Sequence, residues 1–191
     1  MAPIGRDAVH QTDGRSRCTL RVYSSDAKLI AEFGEMRRSP IRFDEIPKDF
    51  ISALLAAEDD NFANHYGVDV TSLMRAATQL LKSGQIQSGG STITMQVAKN
   101  FFLTNERSFS RKATEILLAL QIERELSKDE ILELYVNKIY LGHRAYGIEA
   151  AAQVYYGKSI RDLSLAQMAM IAGLPKAPSR YNPLVNPTRA K

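Results

Sequence analysis

The chain has 191 residues, 45% of them hydrophobic, enough for one domain with a real core and too few for an independent second one. Lysine and arginine number 25 against 21 aspartates and glutamates, and the net charge of +4 suits an anionic partner, a phosphate or an acidic membrane surface, without requiring one. Cys18 is the single cysteine, which excludes an intramolecular disulfide and a cysteine-based metal site, and no apolar run approaches the roughly 18 residues of a spanning helix.

Residues 1–18 are polar, lack the apolar core of a signal peptide, and read as a disordered or vestigial leader before a single domain over 19–191. Leu20 to Tyr23 and Leu29 to Phe33 then read as two short strands around a turn at Ser24-Ser25-Asp26. Beyond Pro40 the pattern becomes helical. Phe50, Ile51, Leu54, Leu55 and Ala57 recur at helical spacing and stop at Glu58-Asp59. Asp69 is a good cap for a second helix that runs to Gly84. Gln85 to Gly90 forms a glycine-containing loop, and Ser91 opens a third helix carrying Gln96 and Lys99. A further helix covers 111–126. Ser127-Lys128-Asp129-Glu130 and Ser164-Leu165-Ala166-Gln167 have the form of capping boxes, in which the serine caps an early amide and the fourth side chain reaches back. Between them an alanine-rich stretch from Gly147 to Tyr156 closes at Gly157. Pro175 and Pro178 end helix formation and the tail runs extended. The expected fold class is mainly α, with a short β element at its start.

Three segments carry groups suited to chemistry. Glu58 and Asp59 stand where an apolar helix face runs out, followed by Phe62, His65, Tyr66 and Gly67. A carboxylate among apolar and aromatic groups is partly desolvated, which raises its pKa toward a range useful for proton transfer. By spacing alone a solvated helix end explains the pair as well, and a packed histidine explains His65, because no second histidine stands at metal spacing. Gly90-Ser91-Thr92-Ile93-Thr94-Met95-Gln96 places hydroxyls and free amides at a helix start, a ready anion site or an ordinary capped helix. Arg107, Arg111 and Lys112 precede Glu115, and they make either a surface ion pair between Arg111 and Glu115 or a cationic clamp for a diphosphate. The tyrosines of 135–156 suit sugar stacking or simple packing.

In order along the chain these segments resemble the peptidoglycan glycosyltransferase domain of class A penicillin-binding proteins, most of all the 1A type, over roughly residues 20 to 191. Glu58-Asp59-x-x-Phe62-x-x-His65-x-Gly67 is similar to the first family motif, and Gly90-Ser91-Thr92-Ile93-Thr94-x-Gln96 with Lys99 to the second. Arg111-Lys112-x-x-Glu115 is similar to the third. Lys128-x-Glu130-Ile131-Leu132-Glu133-x-Tyr135-x-Asn137, continuing through Tyr140-Leu141-Gly142 to Tyr156-Gly157-Lys158, is similar to the fourth. Leu174-Pro175-Lys176-Ala177-Pro178-Ser179 through Asn182-Pro183 is similar to the fifth.

The resemblance implies a lysozyme-like domain that polymerises lipid II into β-1,4 glycan strands and releases undecaprenyl diphosphate. Glu58 is then the base that deprotonates the acceptor 4-hydroxyl, and Glu115 the second catalytic carboxylate, orienting the cation cluster or a metal. Asp59, Phe62, His65, Gly67, Ser91, Thr92, Thr94, Gln96, Lys99, Arg107, Arg111, Lys112 and Asn137 become substrate-binding candidates. No cofactor is required, although a divalent cation, Mg or Mn, fits the chemistry, and no nucleic acid is expected as partner. The partners implied are lipid II, an undecaprenyl-diphosphate-linked glycan and the periplasmic face of the inner membrane. Phe101-Phe102-Leu103 and Phe109 offer an apolar contact for that surface. Met95 and Gln167 depart from residues the family more often has, a glutamine and a glutamate. The family's membrane anchor and transpeptidase domain are absent from this chain, which reads as a fragment or a truncated frame. Two rivals are a lytic muramidase, which needs no diphosphate clamp, and a truncated domain that binds lipid II or a partner without turnover.

Overall fold

The computed structural model describes residues 20–23, 29–33, 37–83, 90–103, 109–184 and 188. The expected leader, the loop at 85–89 and Arg107 lie outside the described residues. The mainly α class is found, with seven α-helices and short strand pairs among the described residues. Strand β1 (Leu20–Tyr23) pairs antiparallel with β2 (Leu29–Phe33), as the two apolar runs predict, with Leu20 opposite Phe33. A second pairing was not legible in the sequence: β3 (Arg37–Arg38) lies parallel to β4 (Ala145–Tyr146), two residues each and more than a hundred positions apart.

Helix α1 (Lys48–Glu58) buries Phe50 and Leu54, four apart on one face, and packs against α7 (Leu165–Gly173). It ends at Glu58 because Asp59 leaves helical dihedrals (φ −161°, ψ 77°) while its amide still bonds Leu55. Helix α2 (Val70–Ser83) starts where Asp69 predicts, with the Asp69 carboxylate accepting from the Thr71 amide and from the hydroxyls of Thr71 and Ser72.

Helix α3 (Ile93–Phe102) is the central strut. Ile93, Thr94, Met95, Val97 and Ala98 are all buried, and the helix packs on both α4 (Phe109–Glu125) and α5 (Lys128–Lys138). Gln96 and Lys99, three apart and only half-buried, share its remaining face. The expected start at Ser91 is corrected by one residue: Thr92 is the cap, its Oγ1 accepting from the Met95 amide. Likewise α4 begins at Phe109 and ends at Glu125, ahead of the predicted 111–126.

Both capping boxes form, at Ser127/Glu130 before α5 and at Ser164/Gln167 before α7. Gln167 therefore keeps the local geometry that a glutamate would provide, without its charge. Alanines at 150–152 let α6 (Ile148–Tyr156) lie close to α5 and α7, and Gly157 in the left-handed region (φ 67°) ends it. The expected extended tail is corrected as well. Leu174–Lys176 is a 3-10 turn, and Arg180 and Tyr181 both donate from their amides to the Ala177 carbonyl, so the two prolines bring turns rather than extension.

Candidate active site

Glu58 and Asp59 separate at once. Asp59 is 8% exposed and fully engaged: both carboxylate oxygens accept from His65 Nε2, at 3.2 and 3.0 Å, and Oδ2 also takes the Ile93 amide at 2.9 Å. That amide is one of the donors a helix start leaves over, so the carboxylate both caps α3 and sits at the positive end of its dipole. His65 Nδ1 accepts from the Gly67 amide at 3.1 Å, which puts the ring proton on Nε2, facing Asp59. Gly67 holds φ +86°, and a Cβ there would lie 2.6 Å from the Ala119 carbonyl oxygen. Its own carbonyl accepts from Thr92 Oγ1 at 2.6 Å. The result is a closed junction of α1, α3 and the connecting turn.

Glu58, one residue earlier, faces the other way. It is half-buried, accepts from Gln96 Nε2 at 2.8 Å, and borders a polar cleft of about 210 Å³ shared with Asp60, Asp69, Arg75 and Ser91. Burial raises its pKa above the ordinary 4.5. The Gln96 bond opposes that rise, Asp59 adds to it, and Lys176 and Lys99 oppose it. A carboxyl tuned upward, with one donor holding it and lysines near it, is equipped to take a proton.

Lys112 on α4 reaches the start of α3. Lys112 Nζ donates to Ser91 Oγ at 2.8 Å and to Glu115 Oε1 at 2.6 Å. Ser91 lines the cleft, so α4 reaches the α3 start through this lysine. Glu115 is 2% exposed, so the surface pair allowed by the Arg111–Glu115 spacing is not its setting; it is a buried anchor for Lys112. The resemblance also offered Glu115 to a metal. Its Oε1 accepts from Lys112 Nζ at 2.6 Å.

Several residues expected to touch substrate are turned into the fold instead. Thr94 is fully buried and donates to Glu123, which also pairs with Lys128 at 2.8 Å. Phe62 is 2% exposed, edge-on to His65, with Lys128 Nζ 4.3 Å above its ring. Asn137 bonds both backbone groups of Ile41 and the Glu133 carbonyl, tying the chain before α1 to α5. Asp59, His65, Gly67 and Thr92 form the junction already described, and of these Asp59 and Thr92 also line the cleft. Ser91 lines the cleft, Gln96 and Lys112 bond to the cleft residues Glu58 and Ser91, and Lys99 on α3 and Arg111 on α4 are half-buried.

Sequence reasoning overlooked two partners of Glu58. Lys176, between Pro175 and Pro178, acts on Glu58 from the 3-10 turn after α7. Tyr135 stood among the candidate stacking tyrosines, yet it is fully buried and its hydroxyl reaches Gln96 Oε1 at 3.4 Å. Its helical spacing from Ile131 and Leu132 was the available signal that it faces the core.

A family model described as Transglycosylase matches residues 26–191. Penicillin-binding protein 1A of Pseudomonas aeruginosa is 86% identical over 171 residues, covering 90% of this chain and 21% of the relative. Penicillin-binding protein 1A of Escherichia coli is 53% identical over 184 residues, covering 96% of this chain and 22% of the relative. A solved structure of penicillin-binding protein 1A from Haemophilus influenzae overlays with a TM-score of 0.49 and 34% identity, covering 92% of this chain and 17% of that one. The chain thus spans about a fifth of the length of the curated relatives it matches. By the extent of the family model, the chain belongs to the transglycosylase family.

Proposed function

We propose that this chain is the glycosyltransferase unit of a peptidoglycan polymerase, joining lipid II into β-1,4 glycan strands. Glu58 carries the reading: it is the half-buried carboxylate on the cleft, raised in pKa by burial and held by Gln96. In the reaction Glu58 takes the proton of the acceptor 4-hydroxyl as that oxygen attacks the anomeric carbon of the donor. The bond from that carbon to the lipid diphosphate breaks, and the electron pair leaves with the diphosphate. Attack from the opposite face inverts the carbon, as when an inverting glycosidase activates water with one carboxylate.

A diphosphate leaves as a stable anion, so cations can do what a general acid does for a poorer leaving group. Lys112, fixed by Glu115 and touching Ser91, and Lys99, on the Gln96 face of α3, are the described groups for that task. Arg111 is assigned to the same cluster, and Arg107 joins it on the strength of the motif. A divalent cation carried by the diphosphate would add to the same neutralisation, and turnover measured with and without EDTA separates the two sources.

The substrate's lipid tail implies a bilayer nearby. Among the described residues no helix is long and apolar enough to cross a membrane. Phe101 and Phe102, 41% and 64% exposed at the end of α3, offer peripheral contact within a turn of Lys99. Flotation with anionic liposomes should recover the chain, and Phe102→Ser should weaken recovery; equal recovery of both proteins removes this contact.

The activity itself is tested by incubating the chain with labelled lipid II in detergent and resolving the product by length. Long strands are expected. Fragments released from intact peptidoglycan would indicate a lytic enzyme, and lipid II binding without product would indicate a binding domain.

A further inference from the structure

We propose that Tyr135 is a positioning residue for Glu58, its buried hydroxyl locking the Gln96 side-chain amide so that NH2, and not C=O, faces the carboxylate. The inference rests on Glu58 being the base and adds a device that keeps the base ionised.

Three helices meet in one line of hydrogen bonds. Tyr135 Oη, from α5, donates to Gln96 Oε1 at 3.4 Å, and Gln96 Nε2, from α3, donates to Glu58 Oε2 at 2.8 Å, at the end of α1. The direction follows from donor chemistry. An ionised carboxylate only accepts, so the amide must offer it NH2, and the carbonyl then points at Tyr135. Turned over, the amide would present its carbonyl to Glu58. That arrangement repels the carboxylate and suits only the protonated acid, which can donate its O–H. A glutamine alone samples both orientations as Glu58 titrates, whereas a phenol donating to Oε1 favours one of them.

Tyr135 is built for this task. It is fully buried with Ile131, Leu132 and Val136, and a buried phenol O–H needs an acceptor. Burial, reinforced by the negative charge of Glu58 and Asp59, pushes its pKa upward, so the hydroxyl remains a donor wherever Glu58 titrates. The other charged groups acting on Glu58 are Asp59 beside it, Lys99 on α3 and Lys176 after α7. Replacing Tyr135 alters none of those charges, so its effect is separable from theirs.

Tyr135→Phe keeps the ring and removes the lock. With glutamate carboxyl carbons labelled by 13C, and the Glu58 resonance assigned by its loss in Glu58→Gln, the titration midpoint of Glu58 should rise by about half to one pH unit in Tyr135→Phe. The acid limb of the strand-formation profile should rise with it, giving roughly a three- to tenfold loss at a pH below the limb and a smaller loss above it. Gln96→Leu should raise the midpoint at least as far, and adding Tyr135→Phe to Gln96→Leu should raise it no further, because both act through one amide. An unchanged midpoint in Tyr135→Phe, with any rate loss equal at all pH values, would make Tyr135 a core residue only. An unchanged midpoint in Gln96→Leu would overturn the relay at its other link. Retained activity in Glu58→Gln would instead remove the base, and the carboxyl titrations would still report on the lock.

Discussion

Asp59 and Glu58 are consecutive in the chain and belong to regions built on opposite principles. Around Asp59 the bonds close on one another: His65 Nε2 and the Ile93 amide on the carboxylate, the Gly67 amide on His65 Nδ1, Thr92 on the Gly67 carbonyl. Around Glu58 burial is partial and raises the pKa, and Gln96, the single side-chain donor found among the described residues, offsets that rise only in part. The same side-chain chemistry therefore does two jobs, one stabilising a junction and one remaining reactive. A closed network is worth most as structure, whereas an incompletely satisfied carboxylate costs stability and gains basicity.

Four substitutions probe that division. The largest stability effect is expected at the junction. Asp59→Ala strands a buried histidine N–H and a helix-start amide, and unfolding should become easier by about 3 kcal/mol or more. A denaturant melt showing less than about 1 kcal/mol would mean that the junction does not hold the two helices together. On the cleft side Lys99→Ala should lower strand formation about a hundredfold while moving the melting temperature by no more than a degree or two. A large thermal loss there would return Lys99 to a structural role.

Glu58→Gln should be at least as stable as the parent at neutral pH. The sign follows from the raised carboxyl. As pH rises through 4.5 the unfolded state ionises first, so the folded state loses ground until the higher folded pKa is passed. Removing the charge removes that loss, and a fall in melting temperature at pH 7 would contradict the contrast with Asp59.

The smallest effect belongs to Asp69, which borders the cleft yet is satisfied as a cap. Its hydrogen bonds from Ser72 and Thr71 lower its pKa from 3.8 to about 2. Its stabilisation is present above pH 3.8 and disappears as the pH falls toward 2. Asp69→Ala should cost about 1 kcal/mol at pH 7 and progressively less on acidification. A constant cost down to pH 2 would mean that the carboxylate charge is not the source.

Much of the fold was legible because it rests on local chemistry. Asp69, Ser127/Glu130, Ser164/Gln167 and Gly157 each mark an element boundary through interactions spanning four residues or fewer, so spacing alone finds them. The β3–β4 pairing escaped because two-residue strands carry no periodicity and these two pair across more than a hundred positions. The site shows the same split. The motif positions were visible, and their roles were not, since a buried hydroxyl such as Thr94 and a cleft-facing one such as Ser91 look alike in a Ser-Thr-Ile-Thr run. Lys176 and Tyr135 were hidden because their connection to Glu58 spans 118 and 77 positions, from the differences 176 − 58 and 135 − 58, and exists only in three dimensions.

The most direct test is the rate of glycan-strand formation by Glu58→Gln from labelled lipid II, beside the parent chain at the same pH. Gln keeps the size and the hydrogen-bonding surface but cannot take the acceptor proton. The account predicts a loss of about a hundredfold or more with a folded, thermally intact protein; a rate within a few-fold of the parent would show that Glu58 is not the base.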